Sequence, residues 1–182
     1  MTIYIALLRG INVSGHNAIR MPELQDSFSG LGFSDIRTCL QSGNVVFRAD
    51  KSDEVKLAAL IAARIKQDFG HAVSVLVISA KELEHVINSN PWGPKAGGDE
   101  KLFHSTFLFE SVSAGSFQAL KLPAAAGERA VLVGRAVLLH CPHGYGKTKL
   151  NNSYFERALG VSATTRNWRT VLALQQLCSE IR

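Results

Sequence analysis

The chain has 182 residues, 46% of them apolar, and a net charge of +5. This composition is rich enough for a packed core and argues against a disordered chain, and the length suits one domain or two small ones. No apolar run in the sequence is long enough for a membrane-spanning helix. The opening Met1–Arg9 stretch lacks the basic start of a signal peptide, so a cytoplasmic protein is expected. Cys39, Cys141 and Cys178 are scattered and form no CxxC pair, which fits reduced, buried thiols.

The charge is uneven. Residues 1–91 carry nine Lys/Arg and nine Asp/Glu, whereas residues 92–182 carry eleven and six, which accounts for the whole +5. Such asymmetry points to an anionic partner or to an ordinary solvated basic surface.

In chain order, Ile3–Leu8 reads as a strand and Arg9–Arg20 as a polar, Gly-rich loop. Pro22 suits the first turn of a helix, Leu24, Phe28 and Leu31 mark its apolar face, and Gly32 ends it. Ile36, Thr38 and Leu40 alternate with polar residues as in a half-buried strand, and Ser42-Gly43-Asn44 turns the chain into Val45–Phe47. A helix is predicted from Asp53 to Gly70 and a strand over Val73–Ile78, apolar enough to be buried on both faces. Ser79 and Glu82 have capping-box spacing for a short helix.

Pro, Gly and charges punctuate Asn90–Lys101, after which the order repeats. Strands are predicted over Leu102–Phe109, Glu128–Val133, Ala136–Cys141 and Val161–Thr164. Helices are predicted over Ser113–Leu120 and Thr148–Leu159, with a last one bearing Val171, Leu174, Cys178 and Ile181 on one face. The expected fold class is therefore α+β: two ferredoxin-like βαββαβ halves, 1–91 and 92–182, with mainly antiparallel sheets and helices packed on one face.

Three stretches carry a resemblance: Ala6–Gly15 (ALLRGINVSG), Gln41–Phe47 (QSGNVVF) and Thr164–Val171 (TTRNWRTV). In order and spacing they resemble the bacterial family of domain of unknown function 1697, whose members read LLRGINVGG, QSGNVVF and TRNWNTV. The resemblance implies two ferredoxin-like halves and no particular reaction. This chain departs from it at Ser14, where Gly is usual, and at Arg169, where Asn is usual.

Gly144-Tyr145-Gly146-Lys147-Thr148 looks like a phosphate-binding loop, but Cys141 stands where that pattern needs a Gly and Pro142 removes a donor. His140, Cys141 and His143 are ligand types, yet neighbours on a strand face opposite ways and a fourth ligand is not evident, so no metal is expected. The Arg9–Asn17 loop either places donors around a ligand, through Arg9, Asn12, Ser14, His16 and Asn17, or simply supplies positive-φ turns. Gln41, Ser42 and Asn44 read as turn chemistry. Arg166-Asn167-Trp168-Arg169 is expected to open the last helix. There Asn167 or Thr165 caps it, Trp168 stacks on Arg166 or packs as core, and the arginines suit a phosphate or carboxylate.

The expected function is a ligand-binding protein for an anionic partner, either a phosphate-bearing small molecule or nucleic acid, with no cofactor and no membrane. Its candidate ligand contacts are Arg9, Asn12, Asn17, Tyr145, Lys147, Lys149, Arg166 and Asn167. The alternatives are a small-molecule enzyme with a cleft between the halves, or a regulatory or scaffolding protein. The sequence does not set the oligomeric state.

Overall fold

The computed structural model describes residues 1–40, 43–92 and 99–182. The chain divides into two compact units, one of residues 1–83 with 173–182 and the other of residues 84–172.

The first unit is built on β1 (Thr2–Arg9), α1 (Met21–Ser29), β2 (Ser34–Cys39), β3 (Asn44–Ala49), α2 (Glu54–Phe69) and β4 (Ser74–Ser79). The sheet order is β2-β3-β1-β4 with antiparallel neighbours, the arrangement of a ferredoxin-like fold. Strand alternation places Tyr4, Ala6 and Leu8 of β1, Val45 and Phe47 of β3, and Val75 and Val77 of β4 in one core. Leu24 and Phe28 of α1 and Leu57, Ile61 and Ile65 of α2 complete it. Asp53 starts α2 by accepting from the Val55 and Lys56 N–H groups, and Gly70 ends it at φ 73°. The other face of the sheet is buried too, at Ile5, Leu7, Val46, Leu76 and Ile78. The expectation that β4 is covered on both sides therefore holds.

The second unit repeats the order with β5 (Phe103–Leu108), α4 (Ala114–Gln118), β6 (Arg129–Val133), β7 (Ala136–His140), α5 (Asn152–Leu159) and β8 (Ala163–Asn167). Its sheet, β6-β7-β5-β8, is again antiparallel. Leu108, Val137, Leu139, Leu150, Phe155 and Ala163 form its core. Phe103, Ser105, Phe107 and Leu138, on the opposite face, are also buried. Among the described residues, no helix is long and apolar enough to cross a membrane.

Each βαββαβ unit is followed by one more helix, α3 (Ala80–Asn88) and α6 (Trp168–Glu180). Ser79 caps α3 by accepting from the Glu82 N–H at 3.3 Å, as its spacing predicts. The compact units differ from the expected halves 1–91 and 92–182, because residues 84–91 group with the second unit and residues 173–182 with the first. One physical tie is the Arg48 guanidinium on β3, which donates to the Ile181 carbonyl and, at 3.1 Å, to that of Arg182. A side-chain donor at the end of a helix satisfies carbonyls that have no partner within it. Residues 93–98, within the stretch read as the boundary, lie outside the described residues.

Two further boundaries move. The helix expected from Thr148 begins at Asn152, where Asn151 caps it by accepting from the Tyr154 N–H. Tyr145–Lys147 is instead a separate short 3-10 turn. The strand expected to stop at Thr164 runs to Asn167, so Arg166 lies on β8 and does not open the last helix. Pairing with β5 extends it: His104 sits opposite Asn167 and Ser105 opposite Arg166.

Candidate functional site

In the first unit, the loop after β1 is shaped by five left-handed residues: Gly10, Asn12, Ser14, Gly15 and Asn17. Only glycine adopts this conformation without cost, and asparagine tolerates it best among the others. Asn12 bridges the loop, its Nδ2 donating to the Ile19 carbonyl at 2.9 Å and its Oδ1 accepting from the Ile19 N–H at 2.8 Å. Asn17 Nδ2 donates to the Gly10 carbonyl at 3.0 Å. Both asparagines singled out as ligand contacts thus brace the loop, in keeping with the turn reading. Arg9 is the last residue of β1, opposite Ser74 and partly exposed.

The loop is also held from below. The Leu8 N–H donates to the Gly43 carbonyl at 2.7 Å. A Cβ on Gly43 would come within 2.8 Å of Ile11 and 2.9 Å of Leu8. Asn44 is fully buried and donates to the Cys39 carbonyl at 3.1 Å. The motifs around Leu8 and Gly43, distant in sequence, are one packed structure. Gln41 and Ser42 lie outside the described residues.

In the second unit, the basic turn and β8 meet. The Tyr145 hydroxyl donates to Thr165 Oγ1 at 3.1 Å. Thr165 has one hydroxyl proton, which it donates to Asn152 Oδ1 at 2.7 Å. The Thr106 hydroxyl, 2.7 Å from Thr165 Oγ1, must then donate to it. His104 stacks on the Tyr145 ring at 4.6 Å. The network fixes the turn against the strand and leaves Lys147 and Lys149 exposed beside it. Among the described residues neither lysine makes an ion pair.

Arg166 NH1 donates to Thr164 Oγ1 at 2.8 Å and to the Thr165 carbonyl at 3.0 Å. Burial brings its guanidinium down to about 10, so it stays charged at neutral pH. Asn167 caps α6, its Oδ1 accepting from the Thr170 N–H and hydroxyl, both at 2.8 Å. Trp168 is buried core.

The titratable groups are not set up as nucleophiles. Burial pushes the Tyr145 phenol up, and its hydrogen bonds to Thr165 and the Asn152 backbone only partly oppose this. Because that backbone N–H starts α5, it already faces the Tyr145 oxygen, and an anion at this helix end would have to displace it. Burial raises all three thiols, Cys141 and Cys178 to about 11. His140 stacks on Phe103 and His143 lies 2.9 Å from the Ala126 carbonyl, so the His140–His143 stretch has structural contacts. Among the described residues no group of three metal-ligand side chains comes together.

The structure thus brings Tyr145, Lys147, Lys149, Arg166 and Asn167 into one unit, and places Arg9, Asn12 and Asn17 in the other. The residues that sequence reasoning missed are His104, Ser105, Thr106 and Asn152. The available signal was three successive polar side chains in a strand otherwise apolar, which require partners once buried.

With this geometry in hand, the family model for DUF1697, described as proteins of unknown function, matches residues 1–138. The chain belongs to the DUF1697 family. The first two motifs of this DUF1697 member fall inside the matched span, and the third, at 164–171, lies beyond it. The solved conserved bacterial protein SP0830 from Streptococcus pneumoniae is similar in fold, with a TM-score of 0.73 at 23% identity. That match covers 97% of this chain and 98% of the other. No curated protein matches the chain.

Proposed function

We propose that this protein is a cytoplasmic binding protein for an anionic small molecule, held on the second unit where the basic turn meets β8. One observation carries the reading. The Tyr145–Thr165 hydrogen bond fixes the turn bearing Lys147 and Lys149 to the strand bearing Arg166. Lys147 and Lys149 raise the positive potential around β8, and Arg166, on the other face of that strand from Thr165, offers a planar fork of donors for phosphate or carboxylate. Three free, buried thiols fit a reducing compartment.

The small-molecule form of the partner is favoured over nucleic acid. RNA-recognition modules of this topology read bases on an open sheet face, whereas both faces of both sheets here carry buried residues. An enzymatic reading finds less support, because the cysteine thiols and the Tyr145 phenol are raised away from their nucleophilic forms.

The test is calorimetric titration of the whole protein with inorganic phosphate and with nucleoside monophosphates at low and moderate salt. Saturable binding that weakens with salt, and weakens further in Lys147→Ala and Lys149→Ala, is expected. Absence of saturable binding at low salt would refute the reading.

A further inference from the structure

Ser105 and Arg166 are register partners on antiparallel β5 and β8, so their side chains share one face of the sheet. It is the face opposite the Thr106–Thr165–Tyr145 network. Thr164, whose Oγ1 accepts from Arg166, lies on the same face two residues earlier, and Trp168, two residues later, is the first residue of α6. Ser105 is 0% exposed and Trp168 2%. Among the described residues, neither Ser105 Oγ nor Trp168 Nε1 has a hydrogen-bond partner. Proteins rarely leave such buried groups unsatisfied, and those that persist call for a missing water, ion or ligand.

The chemistry of the three groups narrows what is missing. An indole N–H and a guanidinium only donate, and a serine hydroxyl can donate. What completes the set must therefore accept hydrogen bonds, and the positive charge beside it favours an acceptor that is negative. We propose that Arg166, Ser105 and Trp168 form one donor set for a single oxyanion, the phosphate or carboxylate group of the bound ligand. Arg166 is partly exposed and Asn167 and Arg169 are exposed, so the oxyanion enters from the end of β8. The inference rests on the anion-binding reading above and adds to it two buried donors, Ser105 on β5 and Trp168 at the start of α6. Lys147 and Lys149 then act as a peripheral attraction, while Arg166 with Ser105 and Trp168 supplies the directional contacts.

The test reads the two indole N–H signals, Trp92 and Trp168, in a ¹H–¹⁵N spectrum of the whole protein titrated with inorganic phosphate and, separately, with acetate. The Trp168 signal is expected to move downfield and saturate, and that of Trp92 to stay. Phosphate saturating at lower concentration than acetate assigns the ligand's group as phosphate, and the reverse assigns it as carboxylate. Ser105→Ala removes an unpartnered hydroxyl, so it should fold as the parent does while weakening binding about ten-fold or more. Arg166→Lys keeps the charge but not the fork and should weaken binding at least as much. If phosphate binds but the Trp168 signal stays still and Ser105→Ala binds as well as the parent, the donor set is wrong and the anion-binding reading survives. If neither probe binds, both fall, and water is what completes the buried donors.

Discussion

Ser14 adopts φ 50°, a conformation that favours glycine. A left-handed residue other than glycine costs roughly 1–2 kcal/mol, against about 0.5–1 kcal/mol for the extra freedom glycine loses on folding. Ser14→Gly should therefore change stability by between zero and about +1.5 kcal/mol, read as a rise in denaturation midpoint. A clear loss would show that the Ser14 side chain has a role the backbone does not reveal. Gly43 is the opposite case, with φ 72° and no room for a Cβ against Ile11 and Leu8. Gly43→Ala combines left-handed strain with overpacking, a cost of about 2–5 kcal/mol. A variant that denatures within 1 kcal/mol of the parent would contradict that packing. His104 is expected to make the molecule acid-sensitive. Burial lowers its folded-state value below 6.5, with the Leu102 carbonyl opposing only in part, so the unfolded chain binds the proton more readily. The stability this contributes is present above the unfolded value near 6.5 and is lost as pH falls from there through the folded value. Denaturation midpoints should drop below about pH 6.5, and His104→Phe, which keeps a ring against Tyr145, should flatten that drop. An unchanged acid limb in the variant would assign the sensitivity elsewhere.

Among the elements, β8 and the basic turn depend on each other through one hydroxyl. Thr165 Oγ1 bonds Tyr145, Thr106 and Asn152 at once. Thr165→Val keeps the shape but strands three polar partners, at about 1–3 kcal/mol for each one left unsatisfied. Faster amide exchange across Tyr145–Lys149 and the start of α5, with β6 and β7 unaffected, is the expected signature. Exchange unchanged in the turn would mean that packing alone holds it. The elements were legible to different degrees. The sequence order β-α-β-β-α-β, twice, follows from apolar periodicity and from caps such as Asp53 and Ser79, which act within a few residues. The true start of α5 was not legible, because Lys147–Leu150 carries helical-looking residues and no local signal says that Asn151 outcompetes Thr148 as the cap. The extension of β8 to Asn167 depends on its pairing with β5, a partner some sixty residues away.

At the scale of the whole molecule, all three cysteines are buried and free, with thiols raised by burial. A thiol reagent at neutral pH should label none of them in the folded protein, and labelling should track unfolding. Rapid reaction of a thiol under native conditions would show that one of the units opens locally. The sequence by itself determined the two ferredoxin-like units, the anchoring of α3 and α6 by their apolar faces, and the concentration of positive charge in the second half. Those properties are carried by short-range pattern and composition. Only the tertiary structure decided that Asn12 and Asn17 brace their own loop, that Gly43 packs on Leu8 and Ile11, and that Tyr145 is bound to Thr165. It also placed Ser105 beside Arg166. Each of these is a contact between segments separated along the chain, or a choice between two uses of the same polar group. Strand register settles such choices, because moving a pairing by one residue turns every side chain to the other face.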